Sequence, residues 1–289
     1  MNKFQQEKVR LVWLYHIQRP RLCINLLREI AEYLNSSFRL LGVCENRVSL
    51  YVAPGKCSKT ATLSVSLTDG TRHCWLNPNS VLFVGGGSYL RNQPEVSDVF
   101  LLDTLNFSVV QQASISEVRF SPGLIHVQGE ALVFGGYNGS AQVTCEKYIV
   151  REKAWDRLPS MKYPRYSFSP VHYMGKVYLP CIITPSSVLE AFVPAENRFE
   201  EETVQLPTSS NCSLAFMYEG LLVVLSCNNF IWYWNVATNQ SNSVKIAPGK
   251  TYLSSSSAVV VEGTVYWVGF STGELDSFNL PPALKNKLA

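Results

Sequence analysis

Four histidines, eight cysteines and one glycine triplet are the residues of this 289-residue chain whose types could carry chemistry. His126 and His172 hold like positions, each three residues before a glycine (Gly129 and Gly175). Two imidazoles without a third ligand make a poor zinc site, because zinc takes three or four protein ligands. Met217, Val260 and Leu76 fill the same place elsewhere in the chain, so the position reads as packing. The cysteines (Cys23, Cys44, Cys57, Cys74, Cys145, Cys181, Cys212, Cys227) show no Cys-x-x-Cys spacing. They read as reduced thiols, several of them inside apolar runs where cysteine behaves as a small hydrophobe. Gly85-Gly86-Gly87-Ser88 has the composition of a phosphate-cradling loop, but it ends an apolar run and no helix is predicted after it. His-Glu-x-x-His, Walker-type, Gly-x-Ser-x-Gly and carboxylate-rich calcium motifs are absent. No catalytic residue, cofactor or metal is expected, which leaves positioning as the role of these residues.

The elements that position them repeat. An apolar run ending in Gly-Gly occurs as Val81–Val84 before Gly85-Gly86 and as Leu132–Phe134 before Gly135-Gly136. The second copy is followed by Tyr148 and Trp155, and the same separation recurs in Phe100 and Phe107 and in Phe192 and Phe199. Asn79, Gly129, Gly175, Gly220 and Gly263 precede successive apolar runs at a period of roughly 43 to 50 residues. Gly and Asn tolerate positive φ, so each of these positions suits a tight hairpin turn. The strands predicted around them are Leu124–Val127 with Leu132–Phe134, Val171–Tyr173 with Val177–Leu179, Ala215–Tyr218 with Leu221–Leu225, and Ala258–Val261 with Val265–Val268. One apolar column, Trp75, Ile125, Val171, Phe216 and Val259, stands four positions before the turn residues and predicts one buried site per unit. Units of this length, each with about four short strands, match propeller periods and not helical repeats.

Gly135, Gly136, Tyr148, Trp155, Leu158-Pro159, Met161 and Arg165 together resemble the kelch repeat. The resemblance implies an all-β kelch-type propeller. Other units depart from the pattern, with Cys181-Ile182, Ser226-Cys227 and Gly269-Phe270 at the Gly-Gly place. The bland assignment of Gly85, Gly86, Gly135, Gly136, Tyr148 and Trp155 is structural: the glycines permit close backbone approach and the aromatics fill the space between blades.

Three strands at each end (Phe38–Val43, Val48–Val52 and Ala61–Leu67; then Ala258–Val261, Val265–Val268 and Leu275–Leu280) predict six blades of about four antiparallel strands. The incomplete first and last blades would then be neighbours where the ring closes. A five-blade ring with an extra hairpin is the alternative. The expected organisation is a helical extension over residues 1–35, the propeller over 36–282 and a tail over 283–289. In the extension, Cys23, Leu26, Leu27, Ile30, Ala31 and Leu34 recur at helical spacing and make one apolar face. This stretch has a faint similarity to the start of an F-box, which would imply adaptor contact through Leu27 and Ile30, although the family's Leu-Pro opening is missing.

Charges nearly balance, 25 Lys plus Arg against 22 Asp plus Glu, so a strong basic field for nucleic acid is not indicated. With no run of about 20 apolar residues and no signal-peptide pattern, a cytoplasmic protein without membrane contact is expected. The expected function is a monomeric, non-enzymatic scaffold that presents propeller loops to a protein partner. Candidate contacts are Tyr89 and Arg91 after the first Gly-Gly and Tyr137 and Asn138 after the second. A ubiquitin-ligase substrate-receptor role is a narrower expectation from the resemblance. The alternatives are a propeller enzyme with a site at the channel mouth, and an actin-binding protein.

Overall fold

The computed structural model describes residues 40–53, 56–87, 94–180, 188–205, 212–226, 230–245, 258–261, 263–268, 275–281 and 284. The helix expected in residues 1–35, with Leu27 and Ile30, lies outside them, as do Tyr89, Arg91 and the tail beyond 284.

Six antiparallel sheets follow one another along the chain. Sheet 1 holds β1 (Leu40–Cys44), β2 (Arg47–Ala53) and β3 (Lys56–Thr62). Sheet 2 holds β4 (Arg72–Asn77), β5 (Ser80–Val84), β6 (Val99–Asp103) and β7 (Val109–Gln111). Sheet 3 holds β8 (Gly123–Val127), β9 (Glu130–Phe134), β10 (Cys145–Ile149) and β11 (Ala154–Leu158). Sheet 4 holds β12 (Val171–Tyr173), β13 (Lys176–Leu179), β14 (Val188–Val193) and β15 (Arg198–Gln205). Sheet 5 holds β16 (Cys212–Tyr218), β17 (Leu221–Ser226), β18 (Phe230–Asn235) and β19 (Gln240–Lys245). Sheet 6 holds β20 (Ala258–Val261), β21 (Thr264–Val268) and β22 (Leu275–Asn279). Each sheet pairs its strands in sequence order, the up-and-down meander of a propeller blade.

The hairpin turns explain the phase of the repeat. Gly129, Gly175 and Gly220 take φ +87°, +80° and +83°, and the residues before them, Gln128, Met174 and Glu219, take φ 53°, 49° and 49°. Positive φ at both central positions is the type I′ turn, whose twist matches the flanking strands. Asn79 is the exception: it is not among the positive-φ residues, and its N–H instead bonds the Asn77 side chain at 2.9 Å. A register shift between Trp75 and Asn77 accounts for the difference, since the extra residue changes how the turn closes.

Alternation along each strand sends successive side chains into two different interfaces. In β9, Leu132 and Phe134 pack with Val177, Leu179 and Phe192 of sheet 4. Ala131 and Val133 turn the other way and pack with Leu82, Val84 and Val99 of sheet 2. The core is therefore a ring of inter-sheet clusters. It closes through contact of sheets 1 and 6, where Leu40 and Tyr51 meet Val259, Val261 and Tyr266. Six blades with three-stranded neighbours at the closure are as the sequence predicts. The third strand of sheet 1 is not: it spans Lys56–Thr62 where Ala61–Leu67 was expected, and Leu63 and Leu67 pack instead with Val81 and Phe83 of sheet 2.

Candidate functional site

The register of sheet 3 sorts the connections to two faces of the ring. Gly123, Phe134, Cys145 and Leu158 stand in one row across the four strands, and Val127, Glu130, Ile149 and Ala154 in another. The Gly-Gly loops and the connections between blades leave from the first row. The hairpin turns, with exposed Met174 and Leu105, leave from the second.

On the Gly-Gly face the sequence-predicted glycines are pinned by a buried arginine of the next connection. Gly86 N–H donates to the Arg119 carbonyl at 2.9 Å, and Gly136 N–H donates to the Arg165 carbonyl at 2.8 Å. A Cβ on Gly85 would lie 2.3 Å from the Arg119 oxygen, and one on Gly135 would lie 2.2 Å from the Arg165 oxygen. Glycine is required there by close approach as well as by its positive φ. The arginine side chains reach into the following blade. Arg119 donates to the Gly135 carbonyl (2.6 Å), the Thr144 carbonyl (3.0 Å) and the Glu146 carboxylate (2.9 Å). Arg165 donates to the Val188 carbonyl (3.0 Å) and to Glu190 (2.9 Å), and Glu190 also accepts from Lys162 N–H (2.8 Å). All four charged side chains are buried, and a buried charge survives only when paired and hydrogen-bonded. Each arginine thus ties one blade by its carbonyl and the next by its guanidinium. Arg119, Glu146 and Glu190 escape motif reading. The signal that finds them is the repeat phase, which places Arg119 with Arg165 and Glu146 with Glu190.

Tyr148 and Trp155 face each other across β10 and β11 with ring centroids 5.1 Å apart. Their polar ends bond the chain leaving sheet 2: Tyr148 OH to Gln112 Oε1 (2.9 Å) and Trp155 Nε1–H to the Ala113 carbonyl (2.7 Å). Phe192 and Phe199 repeat the arrangement at 5.0 Å. Phe100 and Phe107 do not. Phe107 lies in the turn before β7 with φ 59°, under the Lys59 ammonium, so equal spacing in sequence does not become a cross-strand pair.

The same face carries Tyr137 and Asn138. Tyr137 is half-buried, bridged to Phe120 and Ala141 through the backbone, and its ring centroid lies 5.3 Å from that of Tyr166 on the next connection. Asn138 is exposed at the tip, its N–H bonded to the Ser140 carbonyl at 3.0 Å. Tyr166 has no motif to announce it, and Tyr137 meets it only because the ring brings successive connections together.

A cavity of about 340 Å³ runs along the axis, lined by the first strands of five sheets. His73, His126 and His172 all face it, together with Trp75, Ile125, Val171 and Phe216 from the apolar column. His126 and His172 are brought together as the repeat phase suggests, and His73 joins them from β4. Burial lowers the His73 pKa from 6.5 to about 4, with the neighbouring Arg72 charge adding to the shift. Burial also lowers that of His126. His73 Nε2 is buried without a hydrogen-bond partner among the described residues. Among those residues no group of three His, Cys, Asp or Glu side chains stands in a geometry that could hold a metal ion. Burial pushes the Cys145 thiol up to about 12, so it stays protonated and packs. No helix among the described residues is long and apolar enough to cross a membrane.

Among known protein families, the Kelch motif matches residues 119–162. The match opens at the buried Arg119 and runs through sheet 3 to Lys162. No curated protein matches the chain. The motif in sheet 3 and the six successive sheets of like pairing order together support a kelch-repeat β-propeller.

Proposed function

We propose that the chain is a non-enzymatic protein-interaction scaffold whose binding face is the Gly-Gly face. The observation that carries this reading is the Tyr137–Tyr166 pair, two aromatic rings on adjacent connections held over a rigid arginine-tied frame. Tyrosine combines a large contact area with few rotatable bonds, and loops on a rigid scaffold are where recognition concentrates. Asn138 beside the pair, and Tyr89 and Arg91 from the preceding Gly-Gly loop, complete the proposed contact set. The test is affinity purification with Tyr137→Ala, Tyr166→Ala and Tyr89→Ala beside Met174→Ala on the opposite face. A partner lost with the tyrosine variants and kept with Met174→Ala supports the reading; a partner kept by all four sinks it.

The link to ubiquitin ligation rests on the resemblance of residues 22–34. It requires cullin or Skp1-type adaptors in the pull-down, and their loss with Leu27→Asp while the melting temperature stays unchanged. An enzymatic reading draws on one observation, the three histidines at the axial cavity. Measured binding of a metal ion or small molecule there, abolished by His126→Ala and His172→Ala, would favour it over the scaffold.

A further inference from the structure

Asn138-Gly139 is the one place in the sequence where glycine follows asparagine. In such a pair the backbone amide nitrogen readily attacks the preceding side chain, because glycine has no Cβ to shield it. The fold leaves the groups this attack needs open to water. Asn138, Gly139 and Ser140 are all exposed at the tip of the second Gly-Gly loop. The Asn138 N–H donates to the Ser140 carbonyl, but among the described residues the Asn138 carbonyl, the Asn138 side-chain amide and the Gly139 N–H make no hydrogen bond. Nothing lies within 4 Å of the point where a Cβ on Gly139 would stand, so a ring closed at this nitrogen has room. Asn106, Asn235 and Asn239 are held instead. Asn106 Oδ1 accepts from Ser108 N–H (2.8 Å) and Asn235 Oδ1 from Ala237 N–H (3.0 Å). Asn239 accepts from Trp234 Nε1–H (3.0 Å) and donates to Thr203 Oγ1 (2.9 Å). Each of the three is followed by a residue with a side chain: Phe107, Val236 and Gln240.

We propose that Asn138-Gly139 is a self-modification site, where the folded protein converts Asn138 to aspartate and isoaspartate, and that the conversion remodels the loop carrying Tyr137. Hydroxide removes the Gly139 amide proton and the nitrogen attacks Asn138 Cγ. The N–Cγ bond forms, the Cγ–Nδ2 bond breaks, and Nδ2 leaves as ammonia with a proton from water, which restores the hydroxide. Water then opens the succinimide ring. Cleavage between Cγ and the Gly139 nitrogen gives aspartate. Cleavage between the Asn138 main-chain carbonyl carbon and that nitrogen gives isoaspartate, with the chain now running through Cγ. Solvent water is the only co-reactant, and nothing is oxidised or reduced.

Both products act on Tyr137. A carboxylate replaces a neutral amide beside the half-buried ring, and a partner covering it would have to desolvate a charge. Isoaspartate also lengthens the main chain by a methylene inside a tight closure. That closure is made by the Asn138 N–H to Ser140 carbonyl bond (3.0 Å) and the Gln142 N–H to Gly136 carbonyl bond (2.9 Å). Tyr137 is bridged to Ala141 across it and to Phe120 on its other side, so widening the loop shifts the ring against Tyr166. The effect on a partner rests on the Gly-Gly face being the binding face; the modification and the loop change do not.

Ageing of the full chain at neutral and at mildly alkaline pH, read by peptide mapping, enzymatic methylation of isoaspartate and hydrogen exchange, tests this. The peptide containing Asn138 should gain the mass of an amide NH2 exchanged for OH, and accept methyl groups, many-fold sooner than peptides containing Asn106, Asn235 or Asn239. Its rate should climb with pH and fall many-fold in Gly139→Ala, and amides of residues 136–142 should exchange faster in the aged protein than in the fresh one. Asn138 that survives in the folded chain, while guanidinium-unfolded chain loses it, overturns the proposal. Conversion with unchanged exchange over 136–142 overturns the remodelling. Aged protein should also recover several-fold less partner than fresh protein. A partner kept by Tyr137→Ala, with conversion and faster exchange still observed, sinks the binding face and leaves the modification site standing.

Discussion

Gly135 holds two constraints at once, a left-handed backbone with φ +58° and the Arg165 carbonyl where its Cβ would stand. The Gln142 oxygen, 3.0 Å from the same point, adds a second backbone neighbour, while Met161 Cε, also at 3.0 Å, belongs to a side chain that can turn away. Gly139 shares the left-handed backbone, φ +66°, but nothing lies within 4 Å of its Cβ position. Substitution by alanine separates the two effects. Gly139→Ala should cost only the conformational term, about 1 kcal/mol. Gly135→Ala should cost about 3 kcal/mol or more, since it adds a clash with backbone that must move the arginine-tied connection. Urea denaturation of both variants measures the difference, and equal midpoints would show that close approach does not matter at Gly135. The glycine pairs were legible in the sequence as repeat markers. Their partners were not, because Arg119, Glu146 and Glu190 are surface types by composition and become core only when the ring folds around them.

At the scale of the strand pair, the i, i+7 aromatics divide into two outcomes. Tyr148 with Trp155 and Phe192 with Phe199 become direct cross-strand neighbours, while Phe107 leaves the strand at a left-handed turn residue. Spacing alone does not register a turn of different length, and this is why the pattern was readable in sheets 3 and 4 and misleading in sheet 2. The same limit applies to β3, where apolar Ala61–Leu67 reads as a strand but the less apolar Lys56–Thr62 pairs with β2. The hairpins at Asn79, Gly129, Gly175 and Gly220 were legible, and so was the β1–β2 pair; the place of β3 was not. Trp155 tests what the legible pairs contribute. Its ring lies tilted against that of Tyr148 in a partly buried site and its Nε1–H bonds the Ala113 carbonyl on the chain leaving sheet 2. Trp155→Phe keeps an aromatic and loses the bond, an expected cost of about 1 kcal/mol. Trp155→Ala loses both and should cost about 3 kcal/mol. Thermal melts read the series, and a Trp155→Phe variant as unstable as Trp155→Ala would place the contribution in the hydrogen bond alone.

For the whole ring, the axial cavity brings side chains of five sheets into one space, and two of its imidazoles, His73 and His126, make the stability of the assembly sensitive to acid. His73 reaches that space from β4, is 6% exposed, and has its pKa lowered from 6.5 to about 4, first by burial and then by the Arg72 charge. A histidine depressed in the fold binds its proton more readily when unfolded. The neutral form therefore contributes stability that is fully present above pH 6.5 and is lost as pH falls toward about 4. Across that window the loss amounts to about 3 kcal/mol, because each tenfold change in proton affinity is worth about 1.4 kcal/mol. His126, lowered in the same direction by burial, adds to the slope. Carboxylates paired in the fold also titrate in acid, so the informative quantity is a difference between proteins and not the slope of one. His73→Leu removes the titrating group and its unpartnered Nε2 while keeping an apolar side chain against Phe83, 5.7 Å away between ring centroids in the parent. Denaturation at pH 7 and at pH 4.5 should show the variant losing less stability than the parent over that interval. Parallel losses would mean that the axis opens to water and the His73 proton is accepted without unfolding, in which case the cavity is a solvated channel and not part of the ring's packed interior.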